Sequence, residues 1–126
     1  MTSFSPPELA YLASQRLGRL ATVDRHGTPQ NNPVGFAVTD DGTVVIGGWN
    51  LGQSRKFKNL ATNDRVSLVV DDIASVDPWV VRGVEIRGRA EALTDIEPIA
   101  SYMSREQIRI HPDRIRSWGL DDPGGS

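Results

Sequence analysis

Hydrophobic and polar residues follow two different spacings along this chain, one helical and one extended. The stretch SPPE, beginning at Ser5, places a capping hydroxyl, prolines for the first turn and a carboxylate in the order typical of a helix N-terminus. Leu9, Leu12 and Ala13 then share one helical face, and we expect Gly18 to end this helix. Beyond Gly18 the apolar positions alternate, and this alternation predicts strands.

Turn residues divide the rest of the chain into short elements. Hairpin turns are predicted at RHGT (25–28) and at TDDGT (39–43), which carries Asp-Gly. A second helix is predicted at 54–63 and a third at 94–103. The predicted strands cover 19–24, 29–38, 44–49, 65–72, 80–93 and one or two segments within 107–120.

Six or so short strands with one to three flanking helices indicate a mainly β fold. The longest strand, 80–93, alternates apolar and charged residues, so one of its faces can cover a core. A small closed β-barrel with helices outside it satisfies this pattern. We expect one domain over residues 1–120 and a disordered tail at 121–126.

Composition excludes several classes of function. The net charge of −2 argues against general nucleic-acid binding, which needs a basic face. The chain has no cysteine, and its two histidines have no partner at metal-ligand spacing, so we expect no metal site. No apolar run approaches the roughly 20 residues of a membrane helix, and the N-terminus lacks a secretory pattern. We therefore expect a cytoplasmic protein without a membrane partner.

The stretch GQSRKFKN (52–59) concentrates positive charge between two strands and is the leading candidate for a binding site. Ser54 is the expected helix N-cap, and helix N-termini favour anions. Arg55 can grip two phosphate oxygens, and Lys56 adds a point charge. Cations in a first helical turn oppose the helix dipole, which is a mild indication that an anion sits there. The alternative is a solvated helix start.

Amides and aromatic residues form two weaker candidates. Gln30, Asn31 and Asn32 lie on a predicted half-buried strand, where their amides would pair with a cofactor ring or simply face solvent. Trp49 at a strand end and Trp79 in a loop suit stacking on a planar ring, but equally suit a core or an interface.

We find no catalytic residue in the sequence. The Asp71-Asp72 pair ends a strand, where carboxylates are usually solvated, and no serine, histidine and aspartate combination has a motif behind it. A phosphate socket with aromatic and amide groups but no nucleophile or base is typical of an enzyme whose chemistry belongs to a bound cofactor.

Four blocks in order resemble the pyridoxamine-phosphate-oxidase-like split-barrel superfamily, and more closely its branch of deazaflavin-dependent (coenzyme F420) oxidoreductases of class B. The resemblance covers the chain from about Phe4 to Leu120. It implies a six-stranded split barrel that works as a homodimer, with cofactor sites between the subunits. The blocks are LGRLATVDRHGTPQNNPVGF, GQSRKFKNLATNDRVSLVVDD, DPWVVRGVEIRGRAEAL and IRIHPDRIRSWGL.

The resemblance also implies a role for individual residues. Ser54, Arg55 and Lys56 match the positions that hold the cofactor phosphate, and Asn59 on the same helix helps to shape the socket. The other matching positions border the tricyclic ring from two strands and one loop, the loop residue reaching the partner's site: Asn32, Pro33 and Val34, then Gly48 and Trp49, and Trp79.

Three functions remain open at this point. A reduced deazaflavin would pass hydride to an electron-poor double bond of a small organic acceptor, or FMN would serve the same fold, since FMN also ends in a phosphate. A carrier that binds the cofactor without turnover fits the missing catalytic side chains equally well. Pyridoxamine-phosphate oxidation itself is not expected, because the residues after SWGL hold neither the tryptophan nor the arginine that such oxidases use for their substrate.

Overall fold

The computed structural model describes residues 2–98 and 100–120 and shows a mainly β fold with two short helices. A single 3₁₀ turn (Leu51–Gln53) precedes the second helix. The elements in chain order are α1 (Pro6–Ala13), β1 (Leu17–Val23), β2 (Pro29–Gly35), β3 (Ala37–Val38), β4 (Val44–Ile46), α2 (Arg55–Asn59), β5 (Arg65–Ser75), β6 (Val80–Leu93) and β7 (Gln107–Trp118).

All strand pairs are antiparallel, and the strands lie in the order β2-β1-β5-β6-β7-β4-β3. The two strands at the ends of this order, β2 and β3, are separated along the chain by Phe36 alone. Chain continuity therefore brings the two ends of the sheet together, and the sheet curls into a half-barrel. The predicted mainly β split barrel is confirmed, and the predicted count of six strands holds when β2 and β3 are taken as one interrupted strand.

The core lies on the concave face of the sheet. On β6, Val84, Ile86 and Ala90 are buried, while Arg87 and Arg89 between them are exposed, as the alternation predicted. Burying each aliphatic side chain of this kind contributes about 1.5–3 kcal/mol relative to leaving it exposed. The fully buried aliphatic side chains from the other strands are Leu20, Val44, Ile46, Leu68, Val70, Ile108 and Ile110.

Helix α1 begins as predicted but ends earlier. The Glu8 backbone N–H donates to Ser5 Oγ over 3.3 Å, and the Ser5 backbone N–H donates to Glu8 Oε1 over 2.8 Å, which together form a capping box. The helix ends at Ala13, and the expectation that Gly18 ends it is wrong. Gly18 lies within β1, where a Cβ would approach Leu68 Cδ1 to 2.9 Å, so glycine permits close packing there.

The third predicted helix, at 94–103, is also wrong. The described residues of this segment, 94–98 and 100–103, form irregular backbone with bends and a turn. Asp95 has a positive φ of 57°, and Pro98 has no backbone N–H to donate, so both oppose a continuous helix. Helix α2 is shorter than predicted and ends at Asn59.

The last two predicted strand segments form one strand, β7. Its pairing with β6 shifts by one residue, because Arg114 lies opposite Arg87 while Pro112 lies opposite Gly88. Asp113 is therefore the extra residue of a bulge. The tail predicted at 121–126 lies outside the described residues.

Two further features bear on function. Within residues 2–98 and 100–120, no helix has both the length and the apolar character needed to cross a membrane. The same residues contain no group of three or more acidic or histidine side chains arranged to hold a metal ion.

Candidate functional site

A buried asparagine joins α2 to the first hairpin of the barrel. Asn59, the last residue of α2, is only 5% exposed. Its Nδ2 donates to Thr22 Oγ1 over 3.0 Å and to Gln30 Oε1 over 3.1 Å, so it links α2 to both β1 and β2. Arg55, one turn earlier on the helix, is thereby held near the turn between β1 and β2.

A cavity of about 360 Å³ opens between α2 and the turn that joins β1 to β2. We call it the basic cleft, because Arg25, Arg55 and Lys58 line it with permanent positive charge and Asp24 alone carries negative charge. Arg55 and Lys58 are three residues apart on α2 and so share a side of the helix. His26, Asn59 and Thr62 complete the lining.

Local hydrogen bonds shape the turn that forms one wall of the basic cleft. The carboxylate of Asp24 accepts backbone N–H bonds from Thr28 over 2.9 Å and from His26 over 2.8 Å. These bonds lower the pKa of the Asp24 carboxyl group from its usual value, the Thr28 bond having the largest effect. The Asp24 carboxylate therefore stabilises the turn from within. Arg25 and His26 line the cleft opposite α2.

Ser54 caps α2, as predicted. Its hydroxyl accepts the Phe57 backbone N–H over 3.3 Å and donates to the Leu51 carbonyl over 2.6 Å. Its contact with a phosphate stays a prediction, and such a contact would replace the bond to Leu51. Lys56 is half-buried and is not among the residues that line the basic cleft, whereas Arg55 is exposed within it.

Strand β2, an edge strand of the sheet, runs away from the basic cleft. Gln30, Asn32 and Val34 share its inner face, on which Val34 is 5% exposed and the two amides are half-buried. Pro33 faces outward and is exposed, which suits an edge strand because proline cannot donate to a ladder. Two of the three predicted ring contacts on this strand, Asn32 and Val34, therefore lie on the face that carries the Asn59 anchor.

The predicted aromatic contacts lie in different places. Trp49 follows β4 and is 79% exposed, next to Gly48, whose carbonyl accepts from the Ser104 N–H over 2.9 Å. Trp79 is 64% exposed in the turn between β5 and β6. The whole of β5, roughly 35 Å of extended chain, separates that turn from α2. One chain therefore does not bring Trp79 to the basic cleft, and its contact with a partner's site stays a prediction.

The sequence interpretation missed two residues of the basic cleft. Arg25 and His26 lie in a predicted hairpin turn, where polar residues are ordinary, and we expected of His26 only a solvent-facing position or local hydrogen bonds. Their Nε atoms are 3.2 Å apart, with Arg25 donating. Only the packing of α2 against β1 and β2 places this turn beside Arg55, so no local pattern signals it.

Asp72, one residue of the Asp71-Asp72 pair, has a structural role. Arg82 donates to both oxygens of Asp72, over 2.7 Å and 2.9 Å, and the Tyr11 hydroxyl donates to Asp72 Oδ1 over 2.9 Å. The bonds from Arg82 are the main cause that lowers the pKa of Asp72 from 3.8 to about 2. Asp72 therefore joins α1 to the β5–β6 hairpin as a constant anion.

A split barrel with a basic cleft beside its first hairpin is the arrangement expected of a cofactor-binding protein, and comparison with known proteins identifies the family. Residues 6–119 match the pyridoxamine 5'-phosphate oxidase family. The chain belongs to this family, and the predicted resemblance is confirmed at this level. It is 49% identical over 120 residues to the 5a,11a-dehydrotetracycline/5a,11a-dehydrooxytetracycline reductase of Streptomyces rimosus, covering 94% of this chain and 84% of the reductase. The chain is accordingly an oxidoreductase.

More distant relatives share the fold. A pyridoxine/pyridoxamine 5'-phosphate oxidase of a Shewanella species is 39% identical over 101 residues, and the match covers 79% of this chain but only 42% of the oxidase. A conserved hypothetical protein of Mycobacterium tuberculosis superposes with a TM-score of 0.72 at 27% identity, covering 92% of this chain and 85% of that chain. A FAD-binding protein of Mesorhizobium loti superposes with a TM-score of 0.67 at 23% identity, covering 92% and 94%, which shows the fold alone.

Proposed function

We propose that this oxidoreductase binds a flavin-type cofactor with its phosphate at α2, and that the cofactor is the deazaflavin coenzyme F420. The observation that carries the proposal is the basic cleft, where three permanent cations surround about 360 Å³ beside the Asn59 anchor. A chain of net charge −2 that concentrates cations in one cavity supports an anionic ligand there. The donor set thus fits the phosphate of a flavin or a deazaflavin.

The residues of α2 bind and orient the cofactor. Arg55 would hold the phosphate through charge-assisted hydrogen bonds, and Lys56 would add charge from the adjacent position. Ser54 offers a hydroxyl once its bond to the Leu51 carbonyl is released. Asn59 does not need to touch the phosphate, because it holds α2 against β1 and β2 and so sets where Arg55 stands.

The residues of β2 and the end of β4 shape the ring site. When bound, the cofactor supplies the hydride, so the protein needs to provide position, electrostatics and exclusion of water. Asn32 and Val34 present an amide and an apolar group from the inner face of β2, and Pro33 leaves its edge without a donor. Gly48 and Trp49 border the ring from the end of β4.

We propose an acceptor with an electron-poor carbon–carbon double bond in a ring system. The name of the Streptomyces relative identifies dehydrotetracyclines as the molecules it reduces, and the match covers nearly all of this chain. Reduction adds the hydride from the cofactor to one carbon and a proton to the other. Water or a neighbouring side chain donates that proton, because we assign no residue as a catalytic acid.

FMN is the second candidate cofactor, and the observation that favours it is the same cleft. Arg55 and Lys58 line the cleft, and their positive charges suit the phosphate of either cofactor. In the deazaflavin the phosphate is a diester that continues into a lactyl group and glutamate carboxylates, so extra cations beside the phosphate favour the deazaflavin. Lys58 and Arg25 are exposed and supply such cations.

We further propose that the protein is a homodimer with cofactor sites between its subunits. The β5–β6 hairpin exposes a set of large apolar side chains, and neighbouring exposed apolar residues commonly mark a protein interface. Trp79 would reach the partner's site from this hairpin. The set comprises Ile73, Val76, Trp79 and Val80.

Titration of the purified protein with coenzyme F420 and with FMN, followed by fluorescence quenching, tests the cofactor. We expect micromolar binding of F420 and weaker binding of FMN. Micromolar binding of FMN with no binding of F420 would contradict the deazaflavin assignment. Turnover of a panel of enones and quinones with the reduced cofactor separates the enzyme from a carrier, since a carrier binds tightly and reduces none of them.

A further inference from the structure

A second cavity, of about 680 Å³, opens between α1 and the segment that runs from β3 into its turn. We call it the acidic-rimmed groove. Apolar side chains form its floor and two carboxylates stand at its rim. The floor includes Phe4, Leu9, Phe36 and Val38, and the rim carries Asp40 and Asp41.

Strand β2 connects this groove to the basic cleft. Gln30, near its start, accepts from the Asn59 amide beside the basic cleft. Phe36, which follows the end of β2, lines the groove. The two residues are about 20 Å apart along an extended strand. A cofactor held by its phosphate at Arg55 and bordered by Asn32 and Val34 would therefore extend along β2 towards the groove.

The floor of the groove exposes apolar surface on α1. Leu12 on α1 is 2% exposed, whereas Leu9 on the same helix is 44% exposed and lines the groove. Phe4, Phe36 and Val38 are only partly buried against the core. A cavity of this size with an apolar lining and a few polar groups is typical of a site for a small molecule.

The two carboxylates at the rim differ in how many hydrogen bonds they accept from the chain itself. Asp41 accepts from Thr43, through its hydroxyl over 2.8 Å and its backbone N–H over 3.1 Å, and also from the Thr39 hydroxyl. These bonds, with a smaller effect of Arg109, lower the pKa of Asp41 to about 2. Asp40 is exposed, and no hydrogen bond or ion pair to its side chain occurs among residues 2–98 and 100–120. Its charge is available to a ligand.

We propose that the acidic-rimmed groove binds the acceptor, and that it favours a planar apolar molecule bearing a protonated amine. The apolar body lies on Leu9, Phe36 and their neighbours, and the ammonium group faces Asp40. The assignment as acceptor site rests on the proposed hydride transfer, because it places the groove beside the cofactor ring. The preference for a cation rests on the rim alone and holds with or without turnover.

Three fluorescent probes of equal ring size test the groove: 9-anthracenemethylamine, 9-anthracenemethanol and 9-anthracenecarboxylate. Each is titrated into the full chain, and the amine is also added to the cofactor-loaded enzyme as an inhibitor. We expect the amine to bind about fivefold more tightly than the alcohol, the effect of an ion pair at a partly solvated rim. The carboxylate should bind most weakly, and the amine should compete with the acceptor and raise its KM.

Matched variants identify the residues. Asp40→Asn should remove the advantage of the amine over the alcohol, while Asp64→Asn, at an exposed position outside the groove, should leave it unchanged. Leu9→Gln should weaken all three probes by about fivefold through lost apolar contact, while Leu17→Gln, 61% exposed outside the groove, should not. Equal binding of the three probes, or unchanged binding in Leu9→Gln, would overturn the proposal even if the enzyme reduces an acceptor.

Inhibition of turnover by the amine tests separately whether the groove is the acceptor site. If the enzyme reduces an acceptor and saturating amine leaves that rate unchanged, the groove is not the acceptor site, although hydride transfer stands. If no cofactor supports turnover, the proposed function fails, and the selectivity of the three probes still decides whether the groove binds cations.

Discussion

At the α2 end of β2, three permanent cations line a cavity of about 360 Å³, whereas at its far end two carboxylates rim an apolar groove of about 680 Å³. Both regions rest on the same barrel core, and the net charge of −2 reveals neither of them. The difference teaches that charge is sorted along this strand: one end suits a phosphate, and the other suits an apolar molecule with a cation. The following predictions separate the two ends.

The largest effect is expected at the α2 end of β2. Replacing both Arg55 and Lys56 by Ala should weaken cofactor binding by about 2–4 kcal/mol, or about 30-fold to 1,000-fold, because charge-assisted hydrogen bonds are lost. Fluorescence titration measures the change, and thermal unfolding should be nearly unaltered. The control variant replaces Arg114 and Arg116, which removes the same charge from β7. Unaltered affinity in the α2 variant would place the phosphate elsewhere.

Asn59→Ala should lower the free energy of unfolding by about 1–3 kcal/mol, because Thr22 loses its buried partner and α2 loses its anchor. Denaturant unfolding measures this loss. Cofactor affinity should fall with it, while binding of the amine probe at the groove should stay the same. Asn31→Ala, on the exposed face of β2, is the matched control. A loss of probe binding equal to the loss of cofactor binding would show that the two ends are not independent.

Ser5→Ala acts on the groove end. Removing the N-cap hydroxyl of α1 should lower the free energy of unfolding by about 1 kcal/mol. Because α1 forms one wall of the groove, probe binding should weaken and cofactor binding should not. Ser101→Ala, at an exposed turn, is the control. If Ser5→Ala changed cofactor affinity and left probe binding unchanged, the assignment of α1 to the groove end would be contradicted.

Acid should also lower the free energy of unfolding through the pair of Asp72 and Arg82, by at most about 1 kcal/mol because both side chains are partly exposed. The pKa of Asp72 is lowered from 3.8 to about 2 in the folded protein, so the unfolded chain takes up this proton first. The stabilisation is therefore complete above about pH 5 and is lost as the pH falls towards 2. Urea unfolding at pH 7 and pH 3 measures it. Asp72→Asn should make this acid limb shallower but not remove it, because the pKa values of Asp24 and Asp41 are also lowered. An unchanged limb would contradict the assignment.

Local signals predicted those elements whose residues interact within a few positions. The capping box of α1 is spelled by SPPE, and the two faces of β6 follow from alternation over Val80–Leu93. Gly18 was misinterpreted because its requirement is packing against Leu68, a contact between distant parts of the chain. The predicted helix at 94–103 has helical spacing, but Asp95 and Pro98 oppose it at the level of the backbone.

The candidate site divides in the same way. Ser54 was predicted as a cap from one turn of sequence, and the capping bond is present. The partnership of Arg55 with Arg25 arises from the amide bonds of Asn59 to two strands, and those bonds require the folded barrel. The acidic-rimmed groove also lies between elements distant in sequence, so Asp40 gave no local sign of a site.

A crossed titration tests the central claim that the two ends of β2 bind different partners. Coenzyme F420 and the anthracene amine are each titrated into the wild-type chain, Arg55→Gln and Asp40→Asn, under one buffer condition. We predict that Arg55→Gln weakens only the cofactor and that Asp40→Asn weakens only the amine. If both substitutions weaken the same ligand, or if neither ligand responds to the substitution at its own end, the assignment of the two ends is contradicted.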